Sequence, residues 1–434
     1  MDETPDEPRR PDKDRRAQQN NPTASDRLSP PPPRPQEQDK YEDENLAPTR
    51  RGILNRRRLA AAGVAVVLLG GATALMLNGR DDGAASPSDD NRSSQKDGAP
   101  ERSGTKGESD WQKIVPGGDC QCADGSEFAF WERHADPTKV VLYLDGGGAC
   151  VDATSCAFTG EAGENPSYNW SLAGENPDFP GGGILDFDRP DNPFANYSFL
   201  YMASCTGDLD LGNITRDYSV ELTVEHNGFV NGTAVLDYLA EHYPHARQVV
   251  VVGKTGGSVA APVYGGLVAD RLPDAQLTVF GAQSGAFPDL PDFNEAILGD
   301  LWGTYGNMPD WKVNKGLTAR DWGIPRFWIQ AGLHDPDIVM ARFDYAYDPH
   351  AARGVERMGG DATDLLALID ANEATIEAAG VVQHSYTAPG AEHQILDIDK
   401  FYEMEVNGVR LVDWVESLLA GEPVDDVHCE QCGG

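Results

Sequence analysis

Positive charge is what this 434-residue chain has least of: 35 lysines and arginines stand against 70 aspartates and glutamates, a formal net charge of −35 at pH 7. The deficit is uneven. Residues 1–80 hold 14 basic and 12 acidic side chains, and the rest of the chain holds 21 and 58. Nucleic acid and anionic lipid are thereby excluded as partners of the main domain, because both would be repelled. The excess itself reads as a solvated acidic surface. Cysteine is scarce, and all seven (Cys120, Cys122, Cys150, Cys156, Cys205, Cys429 and Cys432) follow residue 110. A zinc site grouping Cys120 and Cys122 with Cys429 and Cys432 is disfavoured, since Cys-x-Cys leaves too short a turn around the metal. These four, with Cys150 and Cys156, are read instead as disulfide candidates of an oxidising compartment, and the odd count leaves one thiol, assigned to Cys205. Internal repeats are lacking. So is a serine at one particular strand-to-helix turn, taken up below.

Apolar surface is short across the first 58 residues, where "SPPPPRPQEQD" (Ser29–Asp39) is typical, and chain entropy there is left unopposed. Five arginines in Arg50–Arg58 then precede Leu59–Leu77, which carry no charge. Nineteen such residues at 1.5 Å each nearly span a ~30 Å hydrocarbon core. The expectation is a transmembrane signal anchor over 59–78, with the arginine side in the cytoplasm. A competing reading is a signal peptide cleaved near Ala72–Ala74, which would release the rest as a secreted protein. Residues 79–110 read as a polar tether, and 111–434 as one folded extracytoplasmic domain.

Inside that domain, strand-length apolar runs alternate with helical spacing. Lys139–Leu144, Tyr197–Ala203, Gln248–Val252, Gln276–Gly281, Arg326–Gly332 and Val382–Ala388 read as strands. Asn231–Tyr243, Asp364–Ala379 and Val409–Gly421 read as helices. Valine-rich strands separated by helices predict an α/β fold with a mostly parallel, covered sheet.

Acyl transfer needs a nucleophile, a base, an acid to orient the base, and donors for the oxyanion. Candidates for all four fall just after predicted strands. In "VVVVGKTGGSVAAP" (Val249–Pro262) an apolar strand runs into glycines and a helix, as in a nucleophile elbow, and Thr255 stands at the apex. Gly253 and Gly257 flank it where side chains would collide across so sharp a turn. "LYLDGGGAC" (Leu142–Cys150) supplies a glycine run, so Gly147 and Gly148, with the Gly256 amide, are the expected oxyanion donors. Cys150 and Cys156 would close the following loop. In "QAGLHDPDIVM" (Gln330–Met340), Asp335 is an apt helix N-cap before Pro336, which leaves Asp337 as the orienting acid and Asp335 as the alternative. His393, in a loop after the last strand, is the expected base; His384 lies inside a strand and His428 beside the terminal cysteines.

Together, "DGGGACVDATSC", "CTGDLDLGN" (Cys205–Asn213), the elbow, "HDPDIVM" and the tail from "APGAEHQIL" to "VHCEQC" resemble the pectin acetylesterase family, which includes the Notum-like carboxylesterases. The resemblance runs from about Asp119 to Cys432. It implies an α/β-hydrolase fold and a Ser-Asp-His triad that removes acyl groups from carbohydrate or protein. It also implies a Gly-Cys-Ser-Ala-Gly elbow with proline seven residues after the serine. Counting back from Pro262 lands on Thr255. The family's acid is followed three residues on by glutamine; Met340 stands there relative to Asp337, an imperfect match that still favours Asp337 over Asp335.

Threonine at the apex is a departure with physical consequences. An elbow residue takes positive φ, which β-branched side chains tolerate badly, and ~1–3 kcal/mol of strain is expected. Ser258 offers a second frame as alternative nucleophile, but it shifts the turn by three residues and loses the Pro262 spacing. Lys254 sets a cation beside the apex, either lowering a hydroxyl pKa or reaching solvent. The first reading is a membrane-anchored carboxylic-ester hydrolase working through Thr255 on an acyl ester, acetylated polysaccharide being what the resemblance implies. Its chemistry needs neither metal nor organic cofactor. The second is a non-catalytic relative binding an acylated or glycan ligand, and the third is catalysis through Ser258.

Overall fold

The computed structural model describes residues 111–161, 163–173, 182–430 and 432. The expected disordered segment, membrane anchor and tether at 1–110 lie outside the described residues. Among those described, no helix is long and apolar enough to cross a membrane.

The strands in chain order are β1 Trp111–Ile114, β2 Phe130–Arg133, β3 Asp136–Leu144, β4 Tyr197–Met202, β5 Ile214–Ser219, β6 Leu222–His226, β7 Gln248–Lys254, β8 Gln276–Ala282, β9 Val339–Tyr345, β10 Gln383–Ala388, β11 Glu405–Val406, β12 Val409–Arg410 and β13 Val427–His428. The helices are α1 Gly228–His242, α2 Gly256–Arg271, α3 Pro291–Phe293, α4 Ile324–His334, α5 Pro349–Arg357, α6 Leu365–Ala378, α7 Lys400–Glu403 and α8 Leu411–Ala420. One nine-stranded sheet runs β1-β2-β4-β3-β7-β8-β9-β10-β13. From β4 through β13 every neighbouring pair is parallel, while β1 with β2 and β2 with β4 pair antiparallel. The C-terminal ends of β3, β7, β9 and β10 therefore open on one edge, where loops of such sheets carry function.

The period of two along each strand sorts the core into two layers. Val140, Leu142, Val249, Val251 and Val279 pack against α1, α2 and α4 through Val235, Leu239, Val259, Val263 and Trp328. Val141, Tyr143, Val250, Val252 and Phe280 pack on the other face against Leu411, Trp414, Val415 and Leu418 of α8. Both faces are covered, which is why these strands read as unbroken apolar runs.

One predicted strand is a helix. Arg326–Gly332 lies within α4, whose buried Ile324, Phe327, Trp328 and Ala331 follow the 3.6-residue period after Pro325 in the first turn. The strand at that point of the fold is β9, fully in register with β8 and β10. Its apolar pattern is interrupted by Arg342 and Asp344, both buried and paired at 2.9 Å.

The cysteines pair as Cys122–Cys205, Cys150–Cys156 and Cys429–Cys432. The free thiol is Cys120, not Cys205. Cys205 opens the loop after β4, and its disulfide ties that loop to the segment ahead of β2.

Asp210, in the same loop, is fully buried at φ 59° with neither carboxyl oxygen hydrogen-bonded among the described residues. Burial, and then the nearby charge of Asp208, push its pKa well above the ordinary carboxylate value. The folded state thus keeps a proton that the unfolded chain releases near pH 4, so this group's contribution is full below that pH and is lost as pH rises toward the folded pKa. Asp210→Asn, which tolerates the same backbone conformation, is expected to leave Tm near the wild-type value at pH 4 and raise it by several degrees at pH 8. Parallel Tm–pH curves for the two proteins would refute this.

Candidate active site

The strand β7 leaves the sheet at Lys254, and Thr255 turns the chain at φ 49°, ψ −107° before α2 begins at Gly256. The turn is as tight as its glycines require. A Cβ on Gly253 would lie 2.5 Å from the Gly257 carbonyl oxygen, and one on Gly257 would lie 2.2 Å from that of Leu144. The Thr255 hydroxyl stands over the loop after β3: a Cβ on Gly146 would fall 1.8 Å from Thr255 Oγ1. Gly146, which the sequence reading passed over for Gly147 and Gly148, thus lies against the apex hydroxyl.

The Gly146 N–H is taken by Asp145 Oδ1 at 2.7 Å. The N–H groups of Gly147, Gly148 and Gly256 donate to no acceptor among the described residues. Gly148 stands at φ 73°, and a side chain there would strike the Ser167 carbonyl at 2.1 Å. The loop is held from outside by the Cys150–Cys156 disulfide, by Cys150 N–H on the Gly207 carbonyl at 3.0 Å, and by Trp302 Nε1–H on the Cys150 carbonyl at 3.0 Å. Trp302 belongs to a stretch of short helical turns between β8 and α4, so the insertion there walls the glycine loop.

His393 follows β10. Its Nδ1 donates to Asp348 Oδ2 at 2.6 Å, and the Asp348 carboxylate is almost wholly buried. Asp348 Oδ1 accepts from the backbone N–H groups of His350 and Ala351 at 2.7 and 3.2 Å, which makes Asp348 the N-cap of α5 with Pro349 at its first position. Both carboxylate oxygens face donors, so the Nδ1 proton is fixed and Nε2 is left as the acceptor. His350 stacks on His393, ring centroids 4.6 Å apart. Burial, then the neighbouring His393 and Arg353, hold the His350 pKa below the ordinary histidine value, with Asp348 opposing. No hydrogen bond joins Thr255 to His393 among the described residues. Such contacts are often long before substrate binds.

The carboxylate that His393 meets is therefore not the one the sequence reading chose. Asp335 and Asp337 precede β9 and lie at its amino end, a strand length (~20 Å) from the edge that carries Asp348. Asp337 lines a hollow of about 230 Å³ with Pro336, Val339, Val381 and Val382. The reading mistook α4 for the strand and so counted loops from the wrong element. The chain holds three Asp-Pro pairs, Asp136-Pro137 at the start of β3, Asp335-Pro336 and Asp348-Pro349, and only the last caps a helix. Asp335 instead ends α4 and accepts the Asp337 N–H at 3.1 Å.

Ser258 is also outside the site. It is fully buried in the first turn of α2, its N–H donates to the Thr255 carbonyl, and its hydroxyl donates to Ser284 Oγ at 2.7 Å. Lys254 is neither a free cation beside the apex hydroxyl nor a solvated one, its side chain being only 12% exposed. Its ammonium lies 2.7 Å from Asp145 Oδ1 and 2.9 Å from Asp397 Oδ2. Because Asp397 is four residues past His393, that contact also shows the histidine loop reaching across to the elbow. The four-thiolate grouping does not form, since Cys122 and Cys429 bond other cysteines.

Residues 114–302 match the model of the pectinacetylesterase family. That span holds the glycine loop and the elbow but ends before Asp348 and His393. Among solved structures the chain is similar to the Wnt deacylase Notum from Drosophila, at 17% identity and a TM-score of 0.52, over 72% of this chain and 95% of that one. At that identity the likeness speaks for the fold, an α/β-hydrolase-like sheet. No curated protein matches the chain.

Proposed function

We propose that this protein hydrolyses carboxylic esters, with Thr255 as nucleophile, His393 as general base and Asp348 as the acid that orients it. The observation that carries the reading is the apex hydroxyl held at φ 49° over Gly146, on the same sheet edge as an imidazole fixed by a buried carboxylate at 2.6 Å. His393 Nε2 takes the Thr255 proton as Oγ1 attacks the acyl carbon. Asp348 holds the imidazole in that tautomer and stabilises the imidazolium that forms. The free N–H groups of Gly147, Gly148 and Gly256 receive the oxyanion. The protonated ring then passes its proton to the leaving alcohol, and water repeats the sequence to release the acid. The family match supports an acyl ester as substrate, and an acetylated polysaccharide is the class we favour. We also place the domain outside the cytoplasm, tethered by the charge-free segment Leu59–Leu77; the three disulfides suit that compartment.

Turnover of short-chain acyl esters by the purified full chain tests the reading. Thr255→Ser keeps the hydroxyl and removes the methyl that is strained at positive φ. Its kcat is expected to rise about tenfold, the equivalent of ~1.4 kcal/mol of barrier. His393→Ala is expected to be inactive, and equal turnover by wild type and His393→Ala would remove the mechanism.

A second reading, a binding protein for acylated or glycan ligands, is favoured by one feature: a β-branched residue occupies the apex. It predicts no turnover by wild type or Thr255→Ser, together with thermal stabilisation by an unreacted acylated oligosaccharide.

A further inference from the structure

Lys254 is the one residue of the elbow that the mechanism above leaves unused. Its side chain is only 12% exposed, and two carboxylates meet its charge. Asp145, directly after β3, contacts it at 2.7 Å, and Asp397, in the histidine loop, contacts it at 2.9 Å. Tyr201, on β4, donates its hydroxyl to the other oxygen of Asp145. Tyr143, fully buried and stacked on Tyr201, lies beside the same cluster. Burial would lower the ammonium pKa, but Asp145 first, then Tyr143 and Asp397, outweigh it and hold it well above the ordinary lysine value. The cation is therefore permanent.

The geometry points to Lys254 as a positioning residue that locks three catalytic loops into one register and offsets half of the negative charge that two of them carry. This rests on the hydrolase reading and deepens it. The lock has a direct structural route. Asp145 Oδ1 is shared between the Lys254 ammonium and the Gly146 N–H, so the lysine fixes the peptide plane that leads into the oxyanion donors. Through Asp397 the same ammonium fixes the loop that carries His393. Lys254 itself is bonded to Thr255, so nucleophile, oxyanion loop and base loop all hang on one nitrogen.

The charge route is separate. With Lys254 the trio carries a net −1; without it, two unpaired carboxylates stand beside the site. Uncompensated negative charge opposes the oxyanion and favours the protonated form of His393. The other groups facing His393 are Asp348 behind Nδ1 and His350 on its ring face, with Arg353 further along α5. Glu392, in its own loop, is neutralised by Lys400 at 2.7 Å. These stay constant when Lys254 is changed.

The test follows the His393 imidazole resonance against pH by NMR, assigned with a His350→Gln protein, alongside ester turnover. In Lys254→Met the His393 midpoint is expected to move to higher pH, and kcat to fall at least tenfold with KM within twofold. In Asp397→Asn, which takes the trio from a net −1 to neutral, the midpoint is expected to move the opposite way. Lys254→Arg, which keeps the charge, is expected to restore kcat to within about threefold of wild type. Midpoints unchanged in both Lys254→Met and Asp397→Asn would overturn the proposal. If Lys254→Met does not fold, the Asp397→Asn and Lys254→Arg proteins decide it. If the wild type turns over no ester, the hydrolase reading fails, and the titration of His393 still judges the role of Lys254.

Discussion

Asp348→Asn is expected to lower kcat on a short-chain acyl ester by about three to four orders of magnitude, the loss expected when an orienting acid gives the base the wrong tautomer. The fold should survive, because asparagine is as good an N-cap as aspartate. Its Oδ1 can go on accepting the N–H groups of His350 and Ala351, which Asp348 Oδ1 now holds at 2.7 and 3.2 Å. What changes is the other end. The amide NH₂ then faces His393 Nδ1, which can no longer donate and must accept. The proton moves to Nε2, and a ring protonated there cannot take one from Thr255. Asp348→Ala loses the cap as well, at a further cost of about 1 kcal/mol in stability. Asp337→Asn, at the opposite end of β9, is expected to keep kcat within twofold. Steady-state kinetics with a thermal melt on each variant checks the set. A crippled Asp337→Asn beside an active Asp348→Asn would reverse the assignment.

That contrast marks how far the sequence could be read. The elbow was legible because sterics leave little choice: a sharp turn between strand and helix needs glycine on both sides of its apex, and Gly253 and Gly257 stand where a Cβ would strike backbone. The fold class was legible because strands covered on both faces are continuously apolar. The acid was not, and the cause lies in β9. A strand that carries a buried Arg342–Asp344 pair breaks the apolar pattern on which strand reading depends, while Phe327, Trp328 and Ile329 in α4 imitate it. An ion pair satisfied only by tertiary packing leaves no local signal. Once the strand was displaced, the wrong Asp-Pro pair followed. A cue did exist, since Asp348-Pro349 stands ahead of a helix whose Ala351 and Val355 are spaced to face the core. Cys120 and Cys205 exchanged roles for a similar reason. Pairing follows from which loops the sheet brings together, and Cys122 meets Cys205 across 83 residues of chain.

Gly146→Ala is expected to abolish turnover, a loss beyond about a thousandfold, through contact with the reacting oxygen itself. The added carbon would sit 1.8 Å from Thr255 Oγ1 and 3.2 Å from the Lys254 carbonyl oxygen, and neither wall can retreat far. Gly146 is pinned by its N–H on Asp145, which Lys254 holds in turn, and two residues earlier Leu144 pairs with Gly253 in the sheet. Thr255 is pinned by its N–H on the Ala282 carbonyl at 2.9 Å and by the turn that Gly253 and Gly257 make possible. The side chain is left to yield. A β-branched residue has few χ1 states, and any rotation that clears the methyl carries Oγ1 away from the acyl carbon. Overpacking of this kind costs about 1–3 kcal/mol in stability, so the variant should fold with a lowered Tm. Adding Thr255→Gly removes the colliding hydroxyl and the strained φ together. The double variant is therefore expected to regain the lost Tm and stay inactive. Gly306→Ala, where nothing lies within 4 Å of the new carbon, serves as the matched control and should behave as wild type. An active Gly146→Ala would mean that the reacting oxygen does not stand over this loop, and the nucleophile would have to be sought elsewhere on the same sheet edge.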